Sequence, residues 1–195
     1  MPRLSDASRL KRRDDIAAAA MRCFARDGFA ATTMADIIRE AGSSAGSVYS
    51  NFESKADLVR YAASSALRTL TATVTDEPPS ERTPTSVLTH LLESSSDRTH
   101  AQTLLQIWAE VPRDPAMAAV GRSSVLELRS LIRAALVPWA RDPAHRRTST
   151  PESTAESLAD AILAIVQGYL VRITIDYDID TCILANTLVA ESTRF

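Results

Sequence analysis

The hydrophobic residues of this chain recur every three or four positions, while the strict alternation typical of strands is nearly absent. This periodicity predicts amphipathic helices along most of the chain. The first is predicted from about Leu10 to Asp27, because Gly28 follows and glycine commonly ends helices. The segment RITIDYDI alternates, but it follows a helical pattern and has no partner strand. The predicted fold is therefore all-α, with about nine helices.

The segment from Gly28 to Leu58 contains the densest series of residues that start and end helices. Thr33 and Asp36 have the spacing of a capping box, which predicts a second helix beginning after Thr33. Gly42 ends that helix, because glycine tolerates the positive φ of a helix C-terminus. A third helix of about six residues, Ala45 to Ser50, follows. A small scaffold that holds so short a helix in solvent is what a protein needs to place a helix in the major groove of DNA.

Longer helices are predicted around two polar loops, DEPPSERTPTS and DPAHRRTSTPES. Proline tolerates the first helical turn, so helices are expected to start at Pro84 and at Pro115. Ser153 is the predicted cap of a further helix, and a last helix begins at about Asp180.

Charge is distributed unevenly, although the formal net charge is only −2. Residues 1–75 contain 11 Lys and Arg against 8 Asp and Glu, whereas the remainder contains 11 against 16. A basic end on an acidic chain favours binding of a polyanion there, with a solvated basic tail as the alternative. No apolar run approaches the roughly 18 residues that span a bilayer, and none follows the basic N-terminus. Two widely separated cysteines, Cys23 and Cys182, suit a reducing compartment, so we expect a cytoplasmic protein.

The segment from Gly28 to Leu58 resembles the DNA-binding domain of the TetR family of transcriptional repressors. The matching positions are Gly28, Thr32-Thr33, Ile37, Ala41-Gly42, Ser44, Gly46, Tyr49, Phe52, Ser54-Lys55 and Leu58. Ser43 and Ile38 depart from the family pattern, which has Val and Ala there, and neither departure removes a DNA-contacting group. The resemblance implies a helix-turn-helix domain over residues 1–55 and a helical ligand-sensing and dimerisation domain over residues 56–195.

The resemblance also implies which residues meet DNA. Those expected to contact phosphates are Thr33, Ser47, Tyr49, Asn51 and Lys55. Those expected nearest the base edges are Ala45, Gly46 and Ser50. Because these three small residues cannot make the bidentate contacts that discriminate bases, Arg12, Arg13 or the shape of the DNA is expected to add specificity. Taken singly, Thr33 could be only a cap, Tyr49 only packing and Lys55 only a surface charge, but their joint spacing favours DNA binding.

The rest of the chain resembles the family's effector-binding and dimerisation region by its layout. A helix at 155–175 is apolar on two faces, so we expect one face in the subunit core and the other against a second subunit on a palindromic operator. The predicted dimer contacts are Leu163, Val166, Leu170, Leu184 and Leu188. The predicted wall of a pocket for a small, largely apolar ligand consists of Leu104, Trp108, Met117, Tyr169, Arg172 and His90, each of which could instead be ordinary core packing.

Other classes of function have less support in the sequence. His90, His100 and His145 are scattered, and no catalytic triad, phosphate-binding loop or metal-ligand spacing is present. We therefore expect no enzyme, no cofactor and no bound metal. A cysteine redox switch needs an exposed thiol of lowered pKa, and both cysteines fall in apolar patterns. The main alternative is an effector-blind or protein-regulated DNA-binding regulator without a ligand pocket.

Overall fold

The computed structural model describes residues 6–76, 78, 82–145 and 150–175, and within these ranges the chain forms helices and no strands. The helices are α1 (Asp6–Asp27), α2 (Met34–Glu40), α3 (Ala45–Tyr49), α4 (Lys55–Asp76), α5 (Pro84–Ser94), α6 (Arg98–Glu110), α7 (Pro115–Arg141) and α8 (Pro151–Ile175), with a 3-10 turn at Pro143–His145. The all-α prediction is confirmed. The helix predicted from Asp180 lies outside the described residues.

Local signals set the ends of α2 as the sequence predicts. The Thr33 hydroxyl accepts a hydrogen bond from the backbone N–H of Asp36 at 3.2 Å, and the Asp36 carboxylate accepts from the backbone N–H of Thr33 at 2.9 Å. These two bonds form the predicted capping box. Gly42 has φ +57° and ends the helix in a Schellman turn, in which the two N–H groups after the C-cap donate back to carbonyls of the last turn.

The start of α8 differs from the prediction. The helix begins at Pro151, and the hydroxyl of Thr150 accepts from the backbone N–H of Ser153 at 3.2 Å. Ser153 is therefore inside the first turn and is not the cap. Proline at the first helical position fixes φ near its helical value, which lets the helix start three residues earlier.

The described chain forms two compact units. The first comprises the described residues up to Ala66 together with Gln102–Ser124, and the second comprises Leu67–Ala101 and the described residues from Val125 onward. The core of the first unit contains, among others, Ile16, Cys23, Phe24, Phe29, Ile37, Val48, Phe52, Leu58, Val59, Ile107, Met117 and Val120. The domain boundary predicted between residues 55 and 56 falls inside this unit, because Leu58 and Val59 pack into its core.

Helix α8 organises the second unit and packs against α5. The guanidinium of Arg129 on α7 donates to both carboxylate oxygens of Asp160 on α8, at 2.5 and 2.9 Å, and forms an ion pair with Glu156 at 2.9 Å. These bonds fasten α7 to α8 and hold the pKa of Asp160 below its ordinary value.

The buried residues of α8 lie on one continuous arc of the helix, which corrects the assignment of Leu163, Val166 and Leu170 to a second apolar face. Successive residues turn by about 100°, so residues three and four apart share a face. The arc consists of Ala155, Ala159, Ile162, Leu163, Val166, Tyr169 and Leu170. Leu163, Val166 and Leu170, predicted as dimer contacts, are thus buried in the core of their own subunit. The other two predicted dimer contacts, Leu184 and Leu188, lie outside the described residues.

The opposite face of α8 is exposed and also largely apolar or small. It contains Ala161, Ala164, Gly168, Val171 and Ile175, of which Val171 and Ile175 are 42% and 74% exposed. By length and composition alone, α8 is the helix among the described residues that could cross a membrane. The arc that packs inside the second unit explains much of its apolar character without a membrane.

Candidate nucleic-acid interface

The short helix α3 presents small and polar residues to solvent. Ser44 caps it by accepting from the backbone N–H of Ser47 at 3.2 Å. Val48 in the helix and Phe52 just after it are buried in the core of the first unit. The outward surface carries Ala45, Gly46, Tyr49 and Ser50, with Ser47 and Asn51 half-buried at its edges. The side chain of Tyr49 is 52% exposed, so it is the large residue that projects from this surface.

The outward surface of α3 is shaped for a close approach. A Cβ atom added at Gly46 would meet no other part of the chain within 4 Å, so the fold itself does not require a glycine there. The hydroxyl of Ser50 and the amide of Asn51 donate back to the carbonyl of Ser47 at 3.0 and 2.8 Å. These polar groups therefore lie close against the helix, where a DNA backbone could reach them.

The Thr33 hydroxyl makes more hydrogen bonds within the chain than the sequence predicts. Besides capping α2, its hydroxyl donates to the Asp36 carboxylate at 2.6 Å. These hydrogen bonds lower the pKa of Asp36 and keep its carboxylate charged. A phosphate accepts hydrogen bonds only, so a contact with the Thr33 hydroxyl would have to replace the bond to Asp36. The phosphate contact of Thr33 stays a prediction.

Lys55, at the start of α4, is held against the loop between α1 and α2. Its ammonium donates to the carbonyl of Phe29 at 2.7 Å and to that of Ala30 at 3.4 Å, and it lies 4.5 Å from the centre of the Phe29 ring. Burial lowers the pKa of Lys55, and the nearby Glu110 carboxylate partly offsets this. An ammonium has three donors, so a third remains for a phosphate oxygen.

The two arginines expected to add specificity have different surroundings. Arg12 is exposed and donates to the hydroxyl of Ser43 at 3.2 Å. Ser43, one of the departures from the family pattern, therefore links α1 to the helix-turn-helix turn. The guanidinium of Arg13 lies over the rings of both Phe52 and Tyr61, at 4.8 and 4.6 Å from their centres. This packing ties α1 to α4 and gives Arg13 a structural role that spacing along the chain does not indicate.

Arg13 also lines an open groove of about 520 Å³ beside the C-terminal end of α3. The other lining residues are Tyr49, Ser50, Asn51, Phe52, Glu53, Asp57, Arg60, Tyr61 and Ser64. The groove thus continues the surface on which the predicted DNA contacts lie. A role for Arg12 or Arg13 in base recognition stays a prediction.

Ion pairs fasten α2 to α1 behind this surface. Glu40 accepts from Arg22 at 2.8 Å and from Arg26 at 3.0 Å, and Arg26 also donates to Asp27 at 2.8 Å. These bonds hold the pKa of Glu40 and of Asp27 below their ordinary values. Because Arg22 and Arg26 are exposed and Glu40 is only half-buried, we expect each pair to contribute little singly, although together they orient α2.

The residues predicted to line a ligand pocket are divided between the two units. Met117 is 1% exposed within the core of the first unit, because the first turns of α7 belong to that unit. Met117 is therefore part of this core, and its place in a pocket wall stays a prediction. Leu104 and Trp108 on α6 are half-buried in the same unit.

The other three pocket candidates belong to the second unit. Tyr169 is buried, which raises the pKa of its phenol. The Nδ1 atom of His90 lies 2.9 Å from the carbonyl oxygen of Ser86, one turn earlier in α5. Arg172 is exposed in the last turn of α8. A cation there also interacts favourably with the helix dipole.

An all-α chain that carries a capped helix, a tight glycine turn and a short exposed second helix has the form of a DNA-binding transcriptional regulator. The sequence pattern of bacterial regulatory proteins of the tetR family matches residues 16–62. The sequence pattern of the C-terminal region of BetI-type transcriptional repressors matches residues 79–183. The chain belongs to the TetR family of transcriptional regulators. A search of curated proteins gave no match.

Solved structures share this fold at low sequence identity. A transcriptional regulator of Pseudomonas aeruginosa PAO1 is 20% identical, with 98% of this chain and 93% of that one covered and a TM-score of 0.72. A TetR-family regulator of Rhodococcus sp. is also 20% identical, with 94% and 97% covered and a TM-score of 0.72. The multidrug binding protein EbrR, complexed with imidazole, is 22% identical, with 92% and 93% covered and a TM-score of 0.59. These likenesses establish the fold of the chain.

Proposed function

We propose that this regulator is a repressor that binds palindromic operator DNA as a homodimer and is released by a small, largely apolar ligand. The observation that carries the DNA-binding part is the outward surface of α3. Its small residues have no role in the core, and Tyr49 projects beside them. A helix of five residues contacts too few bases to be specific alone, so two copies on an inverted repeat are required.

The exposed face of α8 supports the homodimer. Ala161, Ala164, Gly168, Val171 and Ile175 form an apolar surface with small residues at its centre. Such a surface allows the same helix of a second subunit to approach closely, and two-fold symmetry pairs identical surfaces. This face replaces the predicted contacts of Leu163, Val166 and Leu170.

The proposed effector is a small, largely apolar ligand bound by the C-terminal region. Tyr169, which is buried in the second unit, stays a proposed contact for the ligand. EbrR, which shares this fold, is described as a multidrug binding protein complexed with imidazole, and small-molecule binding by a relative favours a ligand-responsive regulator. The alternative is an effector-blind or protein-regulated member of the family. For either form we expect no enzymatic activity and a cytoplasmic location.

Selection of duplexes from a random-sequence library by the wild-type protein tests the DNA-binding proposal. We expect enrichment of an inverted repeat whose two half-sites are separated by about one helical turn. Failure to enrich any sequence would contradict operator binding, and enrichment of a single unrepeated site would contradict the dimer.

A thermal-shift screen with apolar small molecules then separates the two forms of regulator. Ligand responsiveness predicts that one chemical class raises the melting temperature and releases the selected duplex. A screen without any such class favours the effector-blind form.

A further inference from the structure

Hydrogen bonds to several of its backbone groups hold the loop between α1 and α2. Gly28 has φ +88°, its N–H donates to the carbonyl of Phe24 at 3.0 Å, and its carbonyl accepts from the Thr32 hydroxyl at 2.7 Å. The ring of Phe29 packs against that of Phe24, with 4.9 Å between ring centres. The loop leads directly into Thr33, so its position determines where α2 begins.

One of these bonds comes from far along the chain. The side-chain oxygen of Gln106, on α6, accepts from the backbone N–H of Phe29 at 3.2 Å across 77 residues of sequence. A Cβ atom added at Gly28 would lie 3.4 Å from the same oxygen, so the Gln106 amide also lies close to Gly28. Ile107, the next residue of α6, is 4% exposed in the core of the first unit and fixes this part of the helix.

Lys55 holds the same loop from the other side. The N–H of Phe29 bonds to Gln106, and the carbonyl of Phe29 accepts from the Lys55 ammonium at 2.7 Å. Glu110 lies one turn beyond Gln106 on α6 and acts on Lys55 through its charge. Residues four apart share a helix face, so α6 directs the side chains of Gln106 and Glu110 toward the loop and the Lys55 ammonium.

We propose that Gln106 is a positioning residue for DNA binding: by holding the N–H of Phe29 it fixes the α1–α2 loop, whose carbonyls aim the Lys55 ammonium at the DNA backbone. The inference rests on the proposed function, because it assumes that Lys55 meets a phosphate. Gln106 itself does not touch DNA in this arrangement. Its effect passes through a single backbone residue, Phe29, to Lys55.

The test compares three single variants on one helix. Gln106→Met keeps the length of the side chain but removes the acceptor, whereas Gln106→Glu keeps an acceptor in the same place. Gln102→Met makes the same change one turn earlier at an exposed position and is the matched control. Affinity is measured by fluorescence anisotropy as a function of salt concentration. The probes are a duplex selected by the wild-type protein from a random library and a scrambled duplex.

Gln106→Met is expected to weaken binding of both duplexes by about fivefold to tenfold, the effect of one lost hydrogen bond with a buried partner. It should also reduce the slope of log affinity against log salt by about one, since one phosphate contact is lost. Gln106→Glu and Gln102→Met should stay within about twofold of wild type. The amide of Phe29 should exchange its hydrogen faster in Gln106→Met alone.

A double variant separates positioning from general stability. If Gln106 acts through Lys55, adding Lys55→Gln to Gln106→Met should weaken binding little beyond Lys55→Gln alone. Fully additive losses with an unchanged salt slope would show that Gln106 only stabilises the fold and would overturn the inference. Normal binding by Gln106→Met would overturn it as well while leaving the proposed function intact. A wild-type protein that binds no duplex would overturn both.

Discussion

Two exposed helical surfaces of this chain contain glycines whose small size the described residues do not require. A Cβ atom at Gly46 in α3 or at Gly168 in α8 would meet no other described part of the chain within 4 Å. Gly28 and Gly42 are different, because they adopt φ +88° and +57°, which strain other residues. The first pair therefore indicates close approach by something outside the chain, and the second pair serves the fold.

The two surfaces differ in chemistry. Around Gly46 the neighbours are Ser47, Ser50 and the hydroxyl end of Tyr49, which suit a hydrated, charged partner such as DNA. Around Gly168 they are Ala164 and Val171, which suit a dry contact between subunits. The two surfaces are both exposed, but their chemistry favours two different partners. A substitution on one surface can therefore disturb one partner without the other.

The largest effect is expected from a charge on the α8 face. Ala164→Arg would place an unpaired charge in the subunit interface, at a cost of several kcal/mol, and weaken the dimer by about a hundredfold or more. Analytical ultracentrifugation should detect monomers with unchanged helix content. Ala144→Arg, the same change at an exposed residue of the 3-10 turn, is the control and should leave the dimer intact. Dimers of normal strength in Ala164→Arg would exclude this face as the interface.

A smaller effect is expected at the phosphate contacts. Lys55→Ala should weaken binding of every duplex by about tenfold and lower the salt slope by about one, because one phosphate contact is lost. Tyr49→Phe removes one hydroxyl donor and should cost about fivefold on every duplex. Both are measured by anisotropy on selected and scrambled duplexes. A change of sequence preference in either variant would contradict backbone positioning.

Two glycines of the helix-turn-helix, Gly46 and Gly42, are expected to change the free energy of unfolding in opposite directions when replaced by alanine. Gly46→Ala should raise the free energy of unfolding by about 0.5–1 kcal/mol, since alanine favours a helix and the site has room, while crowding the DNA surface and weakening binding. Gly42→Ala should lower the free energy of unfolding by about 1–2 kcal/mol, because its φ is left-handed. Urea titration measures both. Tighter DNA binding by Gly46→Ala would contradict the close approach.

The smallest effect concerns the ion pairs between α1 and α2. The pKa of Glu40 is lowered by Arg22 and Arg26, so its contribution to stability is full above the ordinary carboxylate pKa of about 4.3 and is lost as pH falls through the lowered value. Glu40→Gln should therefore be less stable than wild type at neutral pH, with the difference vanishing at acidic pH and shrinking in high salt. A pH-independent difference would exclude the ion pairs as its cause.

Much of the helix-turn-helix could be predicted from its sequence, because its helix ends are determined by neighbouring residues. The cap at Thr33, the turn at Gly42 and the short helix after Ser44 each depend on residues within one turn of helix. Arg13 and Lys55 could be placed on the right elements, but not in their surroundings. Their partners lie 25 to 48 residues away, at Tyr61 and in the α1–α2 loop.

The second unit was harder to predict for a related reason. Residues 162–170 are apolar at so many positions that periodicity did not show Leu163 and Val166 to share an arc with Ile162. Met117 of the first unit shows the same effect, because it belongs to a core that also contains residues far from it in sequence, such as Ile16 and Phe24. Helix starts are encoded locally, whereas the partner of an apolar face is encoded by the whole fold.

Native mass spectrometry of the wild-type protein with its selected duplex tests most directly whether α3 meets DNA while α8 meets a second copy. Two chains are expected on each inverted repeat. One chain or none is expected for Ala164→Arg, and two chains with weaker affinity are expected for Gly46→Ala. One wild-type chain on each duplex, or two chains of Ala164→Arg bound as tightly as wild type, would contradict the claim that α3 meets DNA while α8 meets a second copy.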